Sequence, residues 1–249
     1  MKKQYPATDI VIFSIENEQL KVLLIKRENQ PFKNYWALPG GFIHQNESPE
    51  KAALRVLDDK AGIKNVFIEQ LYTFGGFGRD PRGSIITVAY FALVPESKIN
   101  PVRSLARAKG ASPKDLQGED LSALGGGIAF GEATSNGIQT PTFYSIKKLP
   151  RLAFDHKKII DYALKRLQTK LEYTNAVYSL LPNYFPFNEL QKAYEAILGR
   201  KLDKRNFRKK FEFLGLIKPT KKVLTGNRQR PARLYQFVSR KPAELKKFF

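Results

Sequence analysis

Apolar residues in the first ninety or so positions fall into short β-branched runs separated by polar turns. "DIVIFSI" and "KVLLIKR" are joined by "ENEQ" and read as a hairpin. "YWALPGGFI" follows, and its Pro39, Gly40 and Gly41 mark a bend where the backbone passes close to something else. Ser48 is placed to cap a helix that opens with Pro49; Ala52, Ala53, Val56 and Leu57 share its buried stripe, and Gly62 lies just past its end. The runs "VFIEQLYTFG" and "SIITVAYFALV", divided by the loop "GFGRDPRG", predict two more strands. The layout is α+β, with mixed strands around one central helix.

Periodicity fades over residues 96–140, which are rich in Gly, Ala and Ser and read as a surface insertion, with a functional lid as the rival. "TPTFYSIKKLP" resumes as strand and turn. "FDHKKIIDYALKRLQTKLEY" spaces Ile160, Ala163, Leu164, Leu167 and Leu171 on one helical face, predicting a helix that links two halves. Beyond Leu180, "FNELQKAYEAILGR" shows a capping-box spacing from Asn188 to Gln191, with Leu190, Tyr194, Ile197 and Leu198 as its buried stripe. "DKRNFRKKFEFLG" opens on Asp203 as N-cap, turns Phe207, Phe211 and Leu214 inward, and stops at Gly215. Arg205, Arg208 and Lys209 then point away from the phenylalanines. Phe213 fits this pattern less well and is expected to pack on the strands that follow. Those strands come from "LIKPTKKVLTGNRQRPARLYQFV", and two helices plus a β-hairpin make a winged helix-turn-helix. The expected divisions are residues 1–155, a linker over 156–179, and residues 180–249.

Charge sharpens this division. The net charge is +20, and residues 200–249 alone hold 17 Lys or Arg against 3 Asp or Glu, whereas residues 1–150 hold 19 against 15. Because the C-terminal cations are interleaved with a regular apolar pattern, a folded nucleic-acid module is favoured over a solvated tail or a membrane-surface patch. There is no cysteine and there are only two histidines, which removes disulfides and ordinary zinc sites. The N-terminal apolar run breaks at Glu16, too short for a span, so a soluble, cytoplasmic, nucleoid-associated protein is expected with no membrane partner.

Gly41, Glu47, Arg55, Leu57, Gly62 and Ile63 stand at the spacing of the Nudix box, so the region resembles the Nudix family, which hydrolyses nucleoside diphosphates linked to another group. That family clusters carboxylates on one helix face, because Mg²⁺ needs hard oxygen ligands beside a pyrophosphate. Here the expected glutamates are replaced by Val56, Asp59 and Lys60. Val56 offers no oxygen and the Lys60 ammonium repels a divalent ion, so no metal site, no required cofactor and no ordinary hydrolysis are expected. For Lys60 itself a solvated side chain is the favoured reading, with direct phosphate contact as the rival.

Collinear matches then extend over nearly the whole chain. "DIVIF", "WALPGGF", "EQLYTFG", "RDPR", "VAYFALV", "LAFDHKKII", "KLEYT", "ELQKAYEAILGRKLDKRNFRKK" and "RPARLYQF" resemble the Nudix-related transcriptional regulators of NAD metabolism, the NrtR family. That resemblance implies a Nudix-like mixed-sheet sandwich followed by a winged helix-turn-helix. It also implies a homodimeric regulator, mostly a repressor, of NAD-synthesis or salvage genes, with ADP-ribose or a related NAD metabolite as effector and a palindromic duplex operator as partner. The box is more eroded than in members that keep some acidic residues, and residues 96–140 are unusually long.

For the effector, Arg27, Arg79 and Arg82, the last two around Asp80, are expected to hold a pyrophosphate beside the Gly40–Gly41 bend. An aromatic from Phe32, Phe42, Phe74 and Phe77 would stack on a base, with core packing the competing reading for each. Glu47 and Arg55 join the candidate ligand site, with a scaffold salt bridge as the simpler role. On the DNA side, Lys201, Lys204, Arg205, Arg208 and Lys209 would contact groove and phosphates, Lys221, Lys222, Arg228 and Arg230 would clamp the backbone, and Asn206 and Gln229 are candidates for base contact. The rivals are an ADP-ribose pyrophosphatase with a basic accessory domain, an RNA-binding winged helix, and a sugar-responsive regulator of the same architecture.

Overall fold

The structure, a computed structural model, describes residues 4–95, 98, 141–226 and 229–245; of residues 225, 226, 229 and 230 it describes the backbone only. Nearly all of the 96–140 insertion therefore lies outside the described residues, as does Arg228. Contacts group the described chain into two compact units, residues 4–14, 21–93 and 141–166 in one, residues 15–20, 94, 95, 98, 167–226 and 229–245 in the other.

The first unit is built on a mixed sheet. Its strands run in the order β3 (Trp36–Ala37), β2 (Gln19–Lys26), β1 (Tyr5–Glu16), β6 (Ile85–Leu93), β5 (Ile68–Phe74), with β4 (Gly40–Phe42) added to β1 and β7 (Thr142–Ser145) to β2. β1 pairs parallel with β6 from Tyr5 opposite Ile85 to Phe13 opposite Leu93. Ile10, Val11, Ile12 and Phe13 are all fully buried, which explains why the run is continuously apolar instead of alternating. The hairpin reverses at Asn17 and Glu18, both at positive φ (52° and 61°), the geometry of a two-residue primed turn.

Helix α1 spans Pro49–Ala61 as its punctuation predicts. Ser48 Oγ accepts from the Lys51 N–H, and Gly62 ends the helix at φ 61°. Ala52, Ala53, Val56 and Leu57 are buried, and a Cβ on Gly41 would lie 3.1 Å from a Val56 methyl, so the helix packs closely on the β4 bend. The loop before α1 is fixed by one carboxylate. Glu47 takes both ends of the Arg55 guanidinium at 2.7 and 2.8 Å and accepts from the His44 N–H, while Arg55 also donates to the Phe42 carbonyl.

The second unit opens with the end of α2 (His156–Lys170), whose first turns belong to the first unit. A 3-10 turn (Ala176–Ser179), β8 (Phe185–Pro186), α3 (Phe187–Leu198), α4 (Lys204–Leu214), β9 (Ile217–Gly226) and β10 (Gln229–Phe237) follow. The strands form an antiparallel sheet in the order β8-β10-β9. The small core is aromatic: Phe187, Tyr194, Phe207 and Phe211 are buried and meet mostly edge to face at ring separations of 4.7–6.3 Å. Arg240, beyond β10, closes the unit by donating to the carbonyls of Tyr178, Leu181 and Pro182.

Three local expectations are corrected. Pro186 holds the N-cap position of α3, with no side-chain cap, because the helix starts at Phe187; Gln191 instead donates to Glu195 and to the Leu202 carbonyl. Leu214 is only half-buried, and so are Leu164 in α2 and Leu198 in α3. Phe213 does not pack on the wing: it is 90% exposed, since Phe207 and Phe211 already fill the inward face of α4.

Two outcomes follow from this packing. Phe211→Ala should cost the second unit about 3–5 kcal/mol, whereas Phe213→Ala should change its stability by no more than about 0.5 kcal/mol; denaturant titration of both variants checks this. The Glu47 carboxyl, held by Arg55, is lowered from 4.5 to about 2. A depressed carboxylate stabilises the fold fully above its ordinary value and loses that contribution as the pH falls through about 2. Carboxyl NMR titration should therefore find Glu47 still ionised at pH 3.5, and Arg55→Met should return it to the ordinary range.

Candidate functional site

A cleft of about 690 Å³, counting its open mouth, lies in the first unit where β1, β2, β4, α1, the loop before β6 and the start of α2 converge. Its lining includes four cations, Arg27, Lys60, Arg79 and Arg82, against two carboxylates, Asp9 and Asp80. Phe42 and Phe154 supply aromatic faces, and Gly40, Gly41 and Leu38 supply backbone.

Asp9 organises the floor. It sits on β1 opposite Gly40 and is 8% exposed; Arg79 Nη2 lies 3.7 Å from one oxygen and His156 Nε2 3.6 Å from the other. A Cβ on Gly40 would fall 2.1 Å from Asp9 Oδ1 and 2.9 Å from the Thr8 carbonyl, so only glycine lets β4 close here. His156 Nδ1 accepts from the Leu38 N–H at 2.9 Å, which places the proton of the neutral ring on Nε2, facing Asp9. Burial pushes the His156 pKa down, against the pull of Asp9 and Asp155, so the ring is neutral at physiological pH.

The arginines are held in different ways. Arg79 forks onto Asp155 at 2.9 and 3.1 Å. Arg82 forks onto Asp80 at 2.6 and 2.9 Å; burial alone would raise the Asp80 pKa, but the hydrogen bonds from Arg82 outweigh it and hold the carboxyl below its usual range. Arg27 donates to the carbonyls of Pro31 and Asn29, and burial together with the nearby Arg82 charge lowers its pKa. The guanidinium carbons of Arg27 and Arg82 lie 4.6 and 5.1 Å from the centroid of the Phe154 ring, and Arg82 also reaches Phe42 at 5.4 Å. Phe154 adopts φ 53°, a left-handed conformation costing roughly 1–2 kcal/mol for a non-glycine residue, which its ring contacts to Arg27, Phe32 and His156 help to hold.

Lys60 corrects the favoured reading of a solvated lysine. It is half-buried, its ammonium donates to the Gly40 carbonyl inside the cleft, and desolvation lowers its pKa. Val56 packs inward, and Asp59 turns to solvent with Arg55 3.9 Å away. Among the described residues no three His, Cys, Asp or Glu side chains are grouped as a metal would need.

Of the residues expected to meet a ligand, Arg27, Gly40, Gly41, Phe42, Arg79, Asp80 and Arg82 line this one cleft. Glu47 and Arg55 do not; they tie the loop to α1. Phe32 stands behind Phe154, Phe74 is buried against Tyr72 and Tyr162, and Phe77 is exposed outside the lining. Sequence reasoning assigned no role to Asp9, Phe154 or His156, all of which line the cleft. Their signals were a lone carboxylate inside an apolar strand and the polar "DH" opening an apolar-striped helix.

On the second unit, Lys204, Arg205, Asn206 and Lys209 are exposed on α4, and Phe213 continues the stripe begun by Arg205 and Lys209. Asp203 caps the helix by accepting from the Asn206 N–H. Arg208 is half-buried, its guanidinium 4.5 Å over the Phe187 ring and 3.5 Å from the Tyr235 hydroxyl. Lys201 lies before the helix and pairs with Glu195 at 2.9 Å. Lys221 is exposed on β9, and the Lys222 ammonium stands 3.6 Å from the Tyr184 ring centroid. Gln229 and Arg230 begin β10, their side chains outside the described residues together with the whole of Arg228.

No helix among the described residues is long and apolar enough to cross a membrane. The NUDIX domain family matches residues 5–122, and the NrtR DNA-binding winged helix domain family matches residues 177–237. The chain is 36% identical over 243 residues to the ADPR responsive transcriptional repressor NtrR of Acinetobacter baylyi, covering 95% of this chain and 85% of that protein. It is 30% identical over 154 residues to the ADP-ribose pyrophosphatase of Methanocaldococcus jannaschii, covering 61% of this chain and 72% of that protein. Among solved structures, Shewanella oneidensis NrtR complexed with a 27mer DNA superposes with a TM-score of 0.70 at 32% identity, covering 93% of this chain and 92% of that one. The two matched domains, in this order and with such a relative spanning nearly the whole length, place the chain in the NrtR family of Nudix-related transcriptional regulators.

Proposed function

We propose that this chain is a transcriptional repressor of NAD-synthesis or salvage genes that binds ADP-ribose, or a related NAD metabolite, without hydrolysing it. The observation that carries the reading is the cleft itself. Four cations against two carboxylates suit a pyrophosphate dianion, and Phe42 and Phe154 offer faces for a base or ribose. The Acinetobacter relative, described as an ADP-ribose-responsive repressor, supports the same assignment.

In this reading Arg27, Arg82 and Lys60 meet the phosphates, while Arg79 and His156 hold Asp9 and the Leu38 backbone in place. Two copies of the chain would present α4 to the half-sites of a palindromic operator, about one helical turn apart. Lys204, Arg205, Asn206 and Lys209 would reach groove and phosphates, and the β9–β10 wing would add backbone contacts through Lys221, Lys222, Arg228 and Arg230. Such work is done in the cytoplasm, and it needs no cofactor. ADP-ribose can switch it only if the arrangement that grips DNA and the arrangement that releases it bind the ligand unequally.

A hydrolytic reading is favoured by one finding, the likeness to an archaeal ADP-ribose pyrophosphatase. It is opposed by α1, where Val56 packs on Gly41, Lys60 carries the wrong sign, and Asp59 faces solvent. A sugar-responsive regulator would leave the cationic lining without a use.

Incubation with ADP-ribose and Mg²⁺ should release no AMP; brisk turnover abolished by Asp59→Asn would establish the enzyme instead. Gel shifts on the promoter of an NAD-synthesis gene should show specific duplex binding that changes when ADP-ribose, and not arabinose, is added. Arg205→Ala and Lys209→Ala should each weaken binding and lower the slope of log affinity against log salt by about 1, while a slope unaltered by both would remove α4 from the interface.

A further inference from the structure

The Nudix resemblance implies a divalent cation in this cleft, and the donor set does not fit one. Val56 presents methyls to Gly41, Asp59 is turned toward Arg55 and solvent, and the Gly40 carbonyl already accepts from Lys60. Among the described residues no three potential ligands converge. The lining side chains carry a net of +2, lowered by one if Asp155 behind Arg79 is counted. A divalent cation would be repelled there, whereas a pyrophosphate dianion would be neutralised.

We propose that the Lys60 ammonium takes the place of that metal, as a cation built into the helix that meets the phosphates of the ligand directly and makes binding independent of divalent ions. The placement argues for it. Lys60 occupies the last turn of α1, where the carbonyl end of the helix dipole favours positive charge. Its ammonium has three N–H donors, and the Gly40 carbonyl uses one. Arg79 and Arg82 are forked onto carboxylates, but Lys60 and Arg27, among the described residues, form no ion pair, so their charge remains available to an anion. Arg27 approaches from β2, while Lys60 enters from α1 beside the Gly40 backbone. The two enter the cleft from different elements, as a clamp on a pyrophosphate requires.

The inference rests on the nucleotide-binding reading above, and calorimetry with the full chain separates the two. ADP-ribose is titrated into wild-type protein in EDTA and in millimolar Mg²⁺, and into Lys60→Met and Lys60→Glu under both conditions. Wild type should bind equally well with and without metal. Lys60→Met should bind about 10- to 100-fold more weakly in both, the value of one lost charge-assisted hydrogen bond. Lys60→Glu should be weak in EDTA and regain affinity when Mg²⁺ is added. Wild-type binding that requires Mg²⁺, or Lys60→Met binding as tightly as wild type, would overturn the inference and leave the nucleotide reading intact. No wild-type binding under either condition would sink both. The wild-type comparison needs no variant, and circular dichroism with thermal unfolding of each variant shows whether both units are folded.

Discussion

Asp9 is the constraint on which the cleft depends. A carboxylate placed in the middle of a buried parallel strand pays a large desolvation cost unless cations and dipoles surround it, and removing any one of them exposes that cost. Arg79 and His156 stand against its two oxygens, and the Lys60 charge lies within electrostatic reach. The two direct partners arrive from different elements, so satisfying one acid brings together the loop before β6 and the start of α2. Gly40 completes the closure, because any Cβ there would collide with the same carboxylate. The cationic lining is thus a by-product of the packing, present before any ligand arrives, and a preformed site of this kind loses little ordering entropy on binding.

In the proposed reading the same arrangement separates recognition from catalysis. Hydrolysis of a pyrophosphate with metal help needs clustered oxygens to fix the ion and lower the pKa of its water. On α1 the Glu47–Arg55 fork still holds the loop against the helix, so the frame survives. The positions that would carry the ion do not: one is a packed methyl group and one an ammonium. In the proposed reading, retaining the frame while changing its charged centre would let the pocket keep its shape without its chemistry, as a sensor that must not destroy its signal requires.

Much of this was legible in the sequence. Helix punctuation at Ser48, Pro49 and Gly62, the inward faces of α4, and the hairpin at the N-terminus all follow from local rules, because each depends on residues a few positions apart. The "PGG" bend and "RDPR" loop marked cleft residues for the same reason. Asp9, Phe154 and His156 escaped assignment because their roles come from contacts between residues more than a hundred positions apart, as with the Leu38 N–H and His156. Lys60 was misread because a lysine on a helix is ordinarily solvated, and only the β4 carbonyl lying across the helix end gives it a partner. Phe213 was expected to pack since it is apolar; two neighbours on the same helix had already filled the core.

In the proposed repressor, the route from ligand to DNA begins at Phe154. Arg27 and Arg82 lie over its ring, and the Arg27 pKa is lowered first by burial and then by the neighbouring Arg82 charge, so the two guanidinium groups repel. A dianion between them would relieve that repulsion and tighten both guanidinium groups around the ring. Phe154 sits two residues before α2, held in a left-handed backbone conformation, and α2 is one of the segments through which the chain passes from the first unit to the second. Strain of this sort is maintained only by surrounding contacts, so a ligand that changes those contacts changes the cost of the conformation. To carry an operator-bound population from 99:1 to 1:99, the two arrangements must differ in ligand affinity by about 10⁴-fold. A cleft whose every cation is anchored to backbone or carboxylate has the stiffness that such discrimination demands, because a loose site would adapt to both arrangements and favour neither.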